Sequence, residues 1–181
     1  MSRGVYQWMM LILLWSVTQL ANASDMNFII TLDRPDLQRR IERLFPLVRE
    51  DQLVRVRLHH PQVILAEHSD RIGLRISVDA TAVEQFSVSG QTRVDGKLRF
   101  ADDTGEFFLD DASIEELQIE GVPQLYADEI RQVADSVIRD VLRDRPIYSL
   151  GQMGESKRIM GSELKSVTVR DGKLIVELAM P

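Results

Sequence analysis

The strict alternation of apolar and polar side chains between Val54 and Phe100 limits the fold of this chain more than any other feature. Val54, Val56 and Leu58 alternate with Arg55, Arg57 and His59. Ile72, Leu74, Ile76, Val78 and Ala80 alternate with Arg71, Gly73, Arg75, Ser77 and Asp79. Thr92, Val94, Leu98 and Phe100 share one parity against Arg93, Asp95, Lys97 and Arg99. Successive side chains of a strand point to opposite faces, so a period of two gives each strand one dry and one wet face. Strands of that kind pair antiparallel in a meander. Asp102-Asp103-Thr104-Gly105 is turn chemistry and leads into a further strand through Phe107, Phe108 and Leu109. The apolar parity then slips between Ile114 and Leu117. A bulge near Glu115 or Glu116 accounts for the slip and curves the sheet.

A sheet with one apolar face needs a cover. Pro123 opens a helix and Pro146 closes it, with Arg145 forced out of helical geometry. Tyr126, Ile130, Val133, Val137 and Val141 form its apolar stripe, widened by Leu125, Ala134, Ile138 and Leu142. Arg131 falls on the face opposite that stripe. A helix of this extent is about 30 Å long and spans a small domain. Two smaller elements complete the pattern. Asn27 to Leu32 reads as a strand, followed by a short helix with Asp33 as N-cap, Pro35 in its first turn, and Leu37, Ile41, Leu44 and Phe45 on one face up to Pro46. At the other end Asp171-Gly172 is a two-residue hairpin turn, which pairs Val169 with Leu174 and Val167 with Val176. Between Tyr148 and Ser162 we expect a loop and a short helix around Glu155 to Met160. The expected fold is therefore α+β: a curved antiparallel sheet wrapped on one long amphipathic helix, with a short N-terminal helix and a C-terminal hairpin.

The first residues carry an export signal. Arg3 supplies a positive segment, Trp8 to Trp15 an apolar run, and Ala21-Asn22-Ala23 a small-x-small cleavage site. Residues 1–23 are expected to be a signal peptide and 24–181 one domain starting at Ser24. The apolar run is about half of the ~20 residues that a bilayer core needs. The alternative is an uncleaved inner-membrane anchor, since Val5 to Leu20 is fairly apolar. The chain has no cysteine, which removes disulfides, thiolate metal sites, a thiol nucleophile and an acylated N-terminal cysteine. A formal charge of −6 argues against general nucleic-acid binding.

No constellation of catalytic residues emerges. His59 and His60, adjacent on a strand, are expected on opposite faces, and His68 follows a turn, so no metal is assigned. Asp103-Thr104-Gly105 matches the aspartic-protease tripeptide, but that chemistry needs two aspartates sharing a proton and no second copy exists. Asp110-Asp111 and Glu115-Glu116 lack calcium-loop spacing and read as solvated charges. No nucleophile elbow, phosphate loop or zinc-protease motif is present. No enzyme, cofactor or metal is expected. Tyr148, Phe107 and Phe108 are either plain core or the lining of a channel.

The order of elements, with Gly105-Glu106-Phe107-Phe108-Leu109 before the long helix, Arg145-Pro146-Ile147-Tyr148-Ser149-Leu150 after it and Gly172-Lys173-Leu174-Ile175-Val176 at the end, resembles the YceB-like family of bacterial envelope lipoproteins. That family is similar in fold to the tubular lipid-binding superfamily, in which a sheet wraps a long helix around an apolar channel. The resemblance implies a lipid or other amphiphile as ligand. The chain departs from it at Ala23-Ser24-Asp25, where the family's acylated cysteine would stand, so no lipid anchor is expected. Together these readings lead us to expect a periplasmic protein that binds or carries a lipid-like amphiphile. Its groove would be lined by Ile76, Val78, Leu98, Phe100 and Phe108 from strands and by Ile130, Val133, Ala134 and Val137 from the helix. The alternative is an envelope protein-interaction module with a filled core and a protein partner. Neither reading involves nucleic acid, and membrane contact is peripheral or absent.

Overall fold

The structure, a computed structural model, describes residues 27–180 apart from 53, 83–85 and 151–160. In chain order the elements are β1 (Asn27–Asp33), α1 (Arg34–Glu42), β2 (Leu47–Glu50), β3 (Val54–Ile64), β4 (Arg71–Ala82), β5 (Phe86–Ala101), β6 (Glu106–Ile119), α2 (Gln124–Asp144), β7 (Tyr148–Ser149), β8 (Glu163–Arg170) and β9 (Lys173–Ala179). The expected signal segment and the helix expected around Glu155 to Met160 lie outside the described residues.

Two antiparallel sheets result. A six-stranded sheet runs β2-β3-β4-β5-β6-β7 and a three-stranded sheet runs β1-β9-β8. In the larger sheet the alternation becomes burial. Ile72, Leu74 and Ile76 are fully buried, and Val78 and Ala80 nearly so, while Arg75 between them is exposed. The parity slip is a bulge: Arg93 faces Glu116 and Val94 faces Ile114, leaving Glu115 as the extra residue. Two more register shifts lie between Asp95 and Lys97 on β5 and between His59 and Gln62 on β3. Each inserts residues on one strand only, which bends the sheet and increases its twist.

The helix α2 stops where the sequence requires. Arg145, the residue before Pro146, has φ −114° and ψ 126°. Ile130, Ala134, Ile138 and Leu142 are fully buried, and Val133 and Val137 nearly so. The smaller sheet holds the expected register, with Val169 opposite Leu174 and Val167 opposite Val176. Asp171 and Gly172 have φ of 53° and 69°, the left-handed pair that a two-residue hairpin turn needs. The Val169 amide donates to the Ser69 carbonyl, the Val169 carbonyl accepts the His68 amide, and Glu67 accepts from the amides of Asp171 and Gly172. The hairpin thus closes onto the turn between β3 and β4, and one apolar cluster runs through both sheets.

Candidate functional site

The long helix sits across the bend of the larger sheet. Its backbone comes close to β6 on one side and to β2 and β3 on the other, rather than to the central β4 and β5. Polar latches hold both sides. On the β6 side, Arg131 donates to the Ile114 carbonyl at 2.7 Å and Asp135 accepts the Ile114 amide at 3.1 Å. On the β2 side, Arg49 pairs with Asp140 at 2.9 Å. Arg99 also donates to the carbonyl of Arg143 in the helix's last turn, at 3.2 Å. Arg131 is exposed on the face opposite the stripe, as expected, and is also tied to the sheet. Its side chain is long enough to reach back from the exposed face to an edge carbonyl that β7, two residues long, leaves unpaired.

Beneath this roof lie most of the residues expected to line a groove. Ile76, Val78, Leu98, Ile130, Val133, Ala134 and Val137 are all at most 6% exposed. Phe100 is partly buried against the same cluster, its ring 4.9 Å from that of Phe107. Phe108 is not among them. It alternates with the buried Phe107 and Leu109 and so turns to the outer face, where the Arg99 guanidinium stacks 4.4 Å from its ring centroid. The period-two rule that placed its neighbours inside places Phe108 outside. At the end of the roof, Tyr148 is buried against Phe107, with Arg40 of α1 lying 4.1 Å over its ring. Burial pushes the Tyr148 phenol above its ordinary value; the Arg40 guanidinium acts against that shift and the Asp36 carboxylate adds to it. A notch of about 190 Å³ opens here between Arg43, Leu44, Pro146 and Tyr148.

The histidines depart from expectation. The register shift sets His60 and Pro61 of β3 against the single residue Ile76 of β4, and His60 takes φ 49°. Both rings therefore turn to the same cleft, with the two Nδ1 atoms 2.6 Å apart. The Nε2 atom of His59 lies 2.9 Å from Asp79 Oδ2, at ion-pair distance rather than in hydrogen-bond geometry. Gln38 satisfies the bulge, donating to the Pro61 carbonyl and accepting the Val63 amide. The open cleft measures about 480 Å³ and is lined also by Glu42, Phe45, Pro46 and Arg57. Pro61 inside a strand pattern was the available signal for this bulge. Among the described residues no group of three or more His, Asp or Glu side chains could hold a metal ion. Among them, too, no helix is long and apolar enough to cross a membrane.

A family model described as "Protein of unknown function (DUF1439)" matches residues 36–173. No curated protein matches the sequence. Among solved structures, one described as "Crystal structure of lipopolysaccharide binding protein" is similar at 9% identity and a TM-score of 0.34, over 84% of this chain. The chain spans about half the length of that structure (48%).

Proposed function

We propose that this chain, which belongs to the DUF1439 family, binds the apolar part of a lipid-like amphiphile between the six-stranded sheet and α2, in the bacterial cell envelope after export. The observation that carries this reading is the position of the helix. It bridges the two sides of a bulged, curved sheet and roofs the apolar faces of the central strands between them. The resemblance to YceB-like proteins points the same way. Burial of an acyl chain needs no reactive group: each methylene removed from water contributes about 0.8 kcal/mol. Binding is proposed without catalysis. The polar latches at Ile114 and Arg49 are the bonds that must yield for the roof to admit a ligand.

A second reading, a protein-interaction module with a filled core, is favoured by the near-complete burial of the lining side chains. Ala134, fully buried on the helix stripe, separates the two. In a close-packed core, Ala134→Phe overpacks and costs about 1–3 kcal/mol. In a ligand space the added ring takes the ligand's place. The expected result is a variant melting near the wild type that no longer takes up a fluorescent fatty acid, measured by titration of delipidated protein. A wild type that takes up no amphiphile of any chain length refutes the reading.

A further inference from the structure

The outer face of the larger sheet sets basic residues against one another across its central strands. The register sets Arg75 of β4 directly opposite Arg93 of β5, and Arg71 directly opposite Lys97. Like charges directly opposite one another destabilise a sheet. Acidic residues outnumber basic ones in this chain, 28 against 22, so opposite-sign partners were abundant. Cations on strands often serve to blunt a sheet edge. That explanation does not apply, because β4 and β5 are the central strands.

Arg71, Arg75, Arg93, Lys97 and Arg99 stand among three carboxylates: Asp95, Asp110, which is opposite Lys97, and Glu116; Arg71 donates to the carbonyls of Asp95 and Asp111. Asp95 approaches Arg93 at 3.4 Å, and Asp110 pairs with Arg99 at 3.0 Å. Glu116 stands opposite Arg93 but takes its hydrogen bond from Gln118. Arg75 and Lys97 have no ion pair among the described residues. The two cationic rows are four residues apart along the strands, about 13 Å. One phosphate cannot bridge that distance, whereas a surface bearing many phosphates meets both rows. Beside them stands the half-buried Phe108 ring with Arg99 stacked on it. Aromatic rings flanked by cations suit the headgroup level of a bilayer.

We propose that the outer face of β4 and β5 docks the protein on an anionic, phosphate-bearing membrane surface through Arg71, Arg75, Arg93 and Lys97, with Phe108 and Arg99 at its margin. This surface is separate from the interior and functions whether or not the interior takes a ligand. The test is flotation of the full chain with vesicles of equal parts phosphatidylglycerol and phosphatidylcholine, and with phosphatidylcholine alone. The expected result is an excess of binding to the anionic vesicles that high salt removes. The double variant Arg75→Gln, Lys97→Gln should lose about thirty-fold of that binding, since each basic residue near a charged surface contributes about 1 kcal/mol. It should melt no lower than the wild type, because like-charge repulsion is removed with the charges. The charge-matched pair Arg34→Gln, Arg39→Gln, on α1, should keep most of the excess. Equal binding to both vesicle types, or equal losses in the two double variants, overturns the proposal. So does displacement by millimolar inorganic phosphate, which means a single-phosphate site, or by polyglutamate, which means an acidic-protein site.

Discussion

The two sheets of this molecule are built from the same alternation and reach different ends. The three-stranded sheet is short, with its only shift among the described residues between Leu164 and Ser166, and its hairpin register is set by one left-handed turn. The six-stranded sheet carries three register shifts among the described residues and bends under a helix of 21 residues. In the first, local turn chemistry and side-chain parity suffice. In the second, extra residues in β3 and β6 give the curvature, and the helix must both fill and roof the bend. Regular pairing makes a cap, whereas interrupted pairing makes a bend that the helix covers.

The largest expected effect breaks the roof. Val133 is 5% exposed in the middle of the helix stripe. Val133→Asp buries an unpaired carboxylate there, at a cost of several kcal/mol, a large share of a domain's stability. The variant should fail to accumulate as folded protein, as judged by soluble yield and circular dichroism. A variant that melts like the wild type would mean that the helix does not pack on the sheet.

Two glycines sharpen the contrast between the sheets. At Gly96 of β5 an added Cβ would meet Leu109 Cγ at 2.6 Å and Cδ2 at 2.9 Å. At Gly172, in the hairpin turn, it would meet nothing within 4 Å, but φ is +69°. Gly96→Ala therefore acts by crowding, at about 1–3 kcal/mol. Gly172→Ala acts by backbone strain, at about 1 kcal/mol. Asparagine tolerates the left-handed region, so Gly172→Asn should recover most of the loss while Gly96→Asn makes matters worse. Denaturant midpoints of the four variants test this. Similar losses for both asparagine variants would erase the distinction.

The same contrast explains what could be read from the sequence. The hairpin pairing of Val169 with Leu174 followed from two turn residues and parity, both local signals. The bulge at Glu115 followed from a break in parity, also local. The burial of most residues under the helix followed from alternation, whereas the parity of Phe108 turns it to the outer face. The His60-Pro61 bulge was missed because a strand's period was carried through a proline that interrupts it. The cationic rows and the Arg131 latch could not be read at all. They depend on which residue of one strand or helix stands beside which residue of another, and the register of β4 on β5 is fixed by packing rather than by a short turn.

The smallest effect lies at the joint between the two regions. Tyr148 of the larger sheet meets Arg40 of α1, and α1 follows directly from β1 of the smaller sheet. Near neutral pH, Tyr148→Phe should change stability little, because a phenyl ring keeps the cation–π contact and the buried contact with Phe107. The difference should emerge in alkali. Burial raises the folded phenol above the ordinary value of about 10, so from that pH upward the folded state holds a proton that the unfolded state has released. Stability is therefore fully present below about pH 10 and falls as the pH rises through the folded value. The phenylalanine variant lacks this contribution and should fall less steeply. Arg40→Met should sharpen the result, since removing the nearby cation leaves burial less opposed and moves the phenol further up. Urea unfolding of the three proteins from pH 8 to 11, with tyrosinate absorbance as the second probe, measures both effects. Parallel pH profiles for wild type and Tyr148→Phe would mean that the phenol ionises freely and that the joint between the sheets is open to water.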